Sequence, residues 1–77
     1  MTTLIEPERL AKANRYINLI RNPAKRRYGF AYLGWLLEGA VGESPDKPER
    51  LSYMAAQAVR MQIDAMDLWN GAGLTRL

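Results

Sequence analysis

The chain has 77 residues, 48% of them hydrophobic and 25% charged, with a formal net charge of +3. That length is one domain, able to bury a modest core, and chains of this size often lean on a metal, a disulfide or a partner. With neither cysteine nor histidine present, disulfides, thiolate metal sites, the commonest general base and the commonest transition-metal ligand are all excluded.

The first residues, Met1 to Glu8, lack a basic region followed by an apolar run, so no secretory signal is expected there. A first helix is predicted over about residues 4–21. Thr3 with Glu6 has the spacing of a capping box, while Pro7 suits a first helical position, and the two place the start differently. Leu10, Ala13, Ile17 and Ile20 recur on one face, with Tyr16 at its edge and Lys12, Arg15 and Asn18 turned away.

A second helix is predicted over 23–38. Asn22 is a good N-cap, Pro23 fits the first turn, and Gly39 can close the helix in the left-handed conformation. At 100° per residue, Tyr28, Tyr32, Trp35 and Leu36 lie on one side and Phe30, Leu33 and Leu37 roughly opposite. A helix apolar on two sides is central to its domain or shared with a partner. Gly29 and Gly34 each cost about 1 kcal/mol relative to alanine in a helix, a loss that close approach of another helix would offset. Within the same stretch, Gly29-Phe30-Ala31-Tyr32-Leu33-Gly34-Trp35 has the glycine and aromatic spacing of the RNP1 strand of RNA-recognition domains. Too few residues separate it from Tyr16-Ile17-Asn18-Leu19, the counterpart of RNP2, to build the intervening helix and strand, so the helical reading stands.

Residues 39–47 are rich in turn formers and read as a linker. The third helix, over 48–69, is expected to be the longest, opened by Pro48 and Glu49 and ended by Asn70-Gly71. Leu51, Met54, Ala58, Met61, Ala65 and Leu68 step by three and four in a short heptad-like seam. Gln62 projects into the apolar arc beside Leu51, Ala55 and Trp69, either as a surface residue at the edge of a packed face or as a polar residue that sets register inside a helix–helix contact. Residues 72–77 read as a loose tail. The fold expected is therefore all-α, a small three-helix bundle with a long C-terminal helix.

Charge is unevenly spread. Residues 9 to 27 hold seven basic side chains and no acid, while from residue 28 onward there are four basic and six acidic ones. Arg21, Lys25, Arg26 and Arg27 are the candidate phosphate contacts of a nucleic-acid-binding reading. Against it, the second helix is too apolar to be read along base edges and the third is net acidic on its polar side. Ser44 and Ser52 have no histidine to activate them, and Asp64 and Asp67 form no metal-type constellation. No enzyme, cofactor or metal is expected. No apolar run approaches the ~20 residues of a membrane span, and a cytoplasmic location is expected.

The function expected is that of a non-enzymatic interaction module, an accessory or regulatory protein that binds another protein. Compact chains of this kind occur among phage and mobile-element accessory proteins, an analogy of size and composition only. Three short helices folding alone would leave part of Phe30, Leu33, Leu37, Met54, Met61 or Leu68 exposed. With Gln62, these residues make the candidate interface, and a homodimer built on the second and third helices is the expected way to cover it.

Overall fold

The computed structural model describes residues 7–66 together with residue 68. Three helices follow one another: α1 over Pro7–Asn18, α2 over Pro23–Leu37 and α3 over Tyr53–Ala65. No strand occurs among the described residues, and the segment with RNP1-like spacing lies wholly within α2.

α1 begins at Pro7, where the missing N–H costs nothing. It ends at Asn18, three residues before the expected boundary, in a tightened last turn with Ile20 N–H donating to the Ile17 carbonyl at 3.1 Å. The cause lies downstream. Asn22 takes an extended conformation, and its side chain accepts from the amides of Ala24 at 2.9 Å and Lys25 at 3.2 Å.

α2 matches its expected span to within one residue. Its end is a Schellman motif: Gly39, at φ +99°, donates to the Leu36 carbonyl at 2.9 Å, and Ala40 to that of Trp35 at 3.0 Å. The Trp35 indole Nε1 donates to the Val41 carbonyl at 3.2 Å, fixing the exit of the chain.

α3 departs furthest from expectation. It starts at Tyr53, five residues beyond Pro48, and its 13 residues are fewer than the 15 of α2. Pro48 instead accepts a turn hydrogen bond from Leu51 N–H at 3.0 Å, and Ser52 is the N-cap, its hydroxyl accepting from Ala55 N–H at 3.1 Å. The turn lets Leu51 enter the core, a larger gain than another helical turn would bring. Met66 caps the other end. Asn70-Gly71 and the tail from residue 72 lie outside the described residues.

The core joins Ala13 and Ile17 of α1, Tyr28, Tyr32, Leu33 and Leu36 of α2, and Ala56, Val59 and Ile63 of α3, with Leu51 and Leu68 closing it at either end of α3. The expected face of α1 holds: Ala13 and Ile17 are buried, and Leu10, Tyr16 and Ile20 pack against them. Gly29 sits where the three helices meet. A Cβ there would lie 3.1 and 3.2 Å from two carbons of Ile17 and 3.5 Å from Val59. Gly34 has nothing within 4 Å of such a Cβ, so the expected close helix approach exists at Gly29 alone.

Candidate functional site

The heptad-like seam is divided between the inside and the outside of the protein. Its end members, Leu51 and Leu68, flank α3 and are buried. Its four middle members lie on α3 and point to solvent: Met54 is 83% exposed and Met61 61%, and Ala58 and Ala65 are exposed as well. The face of α3 that builds the core carries Ala56, Val59 and Ile63, on the other side of the helix. Sequence periodicity cannot separate these two arcs, because both are apolar.

The remaining candidate interface residues separate in the same way. On α2, Phe30 is 38% and Leu37 42% exposed, whereas Leu33 is in the core. Leu33 and Leu68 are thus core residues of the single chain and not part of its outer surface. Gln62 is exposed, the surface position of its two readings and not one inside a helix–helix contact of the single chain. Its wheel neighbours Ala58 and Ala65 belong to the outward stripe, so it borders water. It lines a shallow groove of about 450 Å³ with Arg9, Lys12, Ala65 and Met66.

The basic cluster at the start of α2 does not lie on one face. Lys25, Arg26 and Arg27 are consecutive on α2 and therefore fan out at about 100° intervals. Arg26 is turned inward, its guanidinium donating to the Ile20 carbonyl at 2.8 Å and so satisfying the frayed end of α1. Arg21 and Arg27 are exposed, and Lys25 is half-buried.

An aromatic and charged node that sequence reasoning missed links α2 to α3. The rings of Tyr28 and Tyr32 stack with centroids 6.4 Å apart, and Trp35 follows 5.7 Å from Tyr32. The buried Tyr32 hydroxyl donates to Asp64 Oδ1 at 2.7 Å, and the Arg60 guanidinium stands 5.4 Å from the Tyr32 ring centroid. Burial, then the hydrogen bond to the Asp64 carboxylate, pushes the Tyr32 phenol up to about 12. Arg60 and Asp64 stand four residues apart on α3, the spacing of an ordinary surface pair; the cue lay in a tyrosine on the apolar side of α2.

Beside this node a cleft of about 740 Å³ runs between the linker and α3, lined by Tyr28, Asp46, Lys47, Tyr53, Arg60 and Asp64 among others. Lys47 Nζ lies 4.8 Å from the centroid of the Tyr53 ring. The lining carries both signs of charge side by side, so it selects no ligand of one charge. Among the described residues no three acidic side chains are gathered where a metal ion could sit, and no helix is long and apolar enough to cross a membrane.

Against known proteins, no family model matches the chain, no curated protein matches it in sequence, and no solved structure matches it in fold.

Proposed function

We propose that the chain is a small, non-enzymatic, cytoplasmic docking module, an accessory or regulatory protein that works by binding another protein chain, with a homodimer as its working form. The observation that carries this reading is the outward stripe Met54, Ala58, Met61 and Ala65 on α3. Methionine is flexible and polarisable, suited to adaptable contacts. Leaving two such side chains in water gives up the roughly 25 cal/mol per Å² that burial would return. Among the described residues the core from Ala13 to Leu68 includes neither methionine, so core packing does not account for their placement.

The test compares proteins retained from a lysate of the native host by the wild-type chain and by the double variant Met54→Glu, Met61→Glu. Circular dichroism melting is expected to be unchanged, because both side chains are outside the core. A protein retained by the wild type and lost with the variant is the expected outcome. Identical retention by both overturns the reading.

Phosphate binding by the basic segment is the second reading, supported by the exposed Arg21 and Arg27. It loses Arg26, whose guanidinium donates to the Ile20 carbonyl at the end of α1. If it operates, duplex or single-stranded nucleic acid binds with an affinity that falls steeply with salt, and Arg21→Ala with Arg27→Ala abolishes the binding. No binding at low salt removes it.

A further inference from the structure

The stripe on α3 alternates large and small residues. Met54, Ala58, Met61 and Ala65 are separated by four, three and four positions, so methionine fills one core position of a heptad and alanine the other. Paired in parallel, two such helices would stack methionine on methionine and alanine on alanine, crowded layers alternating with empty ones. Paired antiparallel, each methionine meets an alanine. The midpoint between Met54 and Ala65 coincides with the midpoint between Ala58 and Met61, between Val59 and Arg60. A two-fold axis at that point sets Met54 against Ala65 of the second copy and Met61 against Ala58. The result is four layers, each with one large and one small side chain.

We propose that the stripe is the contact between two copies of this chain, paired antiparallel along α3 about an axis between Val59 and Arg60. This rests on the homodimer of the reading above and gives it a contact surface and a register; a host protein that docks on the same stripe would displace the second copy.

The borders of the stripe agree with this pairing. Gln57 and Asp64 follow one edge, Ala55 and Gln62 the other, and in an antiparallel pair each edge meets its own counterpart. Gln57 comes opposite Asp64 of the second copy, an amide donor facing a carboxylate, and Gln62 comes opposite Ala55, so no like charges face each other along the seam. The core side of α3, Ala56, Val59 and Ile63, lies away from the stripe. Two domains can therefore meet back to back with α1 and α2 undisturbed. Alanine at every second position allows the close interaxial approach, about 8 Å, that small residues permit.

Size sets the strength. The exposed parts of the stripe and its bordering glutamines amount to on the order of 500 Å² per copy, or about 1,000 Å² in the pair, the lower bound for a specific interface. The pair is accordingly weak and reversible, with a dissociation constant of about 10–100 μM, because association must first overcome lost translational and rotational freedom.

Sedimentation equilibrium from micromolar to millimolar concentration tests the pairing, and single cysteines test the register in a chain that has none of its own. M54C mixed with A65C is expected to give a disulfide between the two variants in at least tenfold excess over either self-linked species. In the proposed register the two Met54 positions are about 16 Å apart along the helix axis, far beyond disulfide reach. M54C that links readily to itself would mean a parallel pair and overturn the proposal. A chain that stays monomeric up to millimolar concentration overturns it too, while the host-capture comparison separately decides whether the stripe binds a different protein. Each substitution lies on the solvent side of α3, and an unchanged melting curve for the reduced variants confirms that the fold is intact.

Discussion

Two halves of α2 carry the same unfavourable residue for different consequences. Gly29, in the first half, sits so close to Ile17 and Val59 that a methyl group would have to push Ile17 back by a few tenths of an ångström, and its missing side chain lets three helices meet. Gly34, in the second half, has open space where its side chain would be and holds no neighbour close. The helix-propensity cost is the same, about 1 kcal/mol at each. Only at Gly29 is it returned by packing: Gly29 lies in the core between helices, whereas Gly34 lies outside it, although its neighbours Leu33 and Leu36 are buried.

That contrast can be broken outright at Gly29. Gly29→Leu is expected to destabilise the fold by about 3 kcal/mol, since a large side chain must displace a fully buried, β-branched Ile17. Chemical denaturation would measure it. A variant as stable as the wild type would mean that α1 can move away from α2 freely.

A smaller effect is expected at Tyr32, which lies between the two glycines. Tyr32→Phe removes the hydrogen bond to Asp64 and should cost about 1 kcal/mol, limited because the carboxylate regains water. It also has a pH signature. The phenol is held up at about 12 in the folded chain against about 10 in an unfolded one. The stabilisation from this group is therefore complete below pH ~10 and lost as the pH rises through ~12, because the unfolded chain releases the proton first. A tyrosinate absorbance titration should lose its step near pH 12 in Tyr32→Phe, and the wild type should be the more alkali-sensitive of the two in relative terms.

The slightest change is expected at Gly34. Gly34→Ala should stabilise by about 0.5–1 kcal/mol, by restricting the unfolded chain and improving helix propensity with no clash to offset the gain. A loss of stability in Gly34→Ala as large as that of Gly29→Leu would erase the distinction between the two positions.

Much of this fold could be read in the sequence. Asn22, Pro23 and Gly39 bracket α2 because caps and breakers act through local geometry. The face of α1 was legible because only one stripe on it is apolar. α3 was harder for a physical reason: Pro48 and Glu49 resemble a helix start, but Leu51 gains more by burial, and the chain turns at Pro48 to bury it. The outward stripe was visible as a pattern, though not its direction, since a second apolar arc through Val59 and Ile63 competes for the core. The Tyr32–Asp64 contact spans 32 positions, and no local spacing announces such a pair.

The linker between α2 and α3, residues 38–52, also has a kinetic meaning. α1 and α2 are joined by only four residues, 19–22, so their contacts close a short loop at little entropic cost, while α3 must close a longer one before Val59 and Ile63 reach the core. Folding should therefore proceed by an early α1–α2 hairpin followed by docking of α3. In hydrogen exchange, α3 would open at lower free energy than the amides of α2 around Gly29. The helix that carries the exposed stripe is then also the last to be secured.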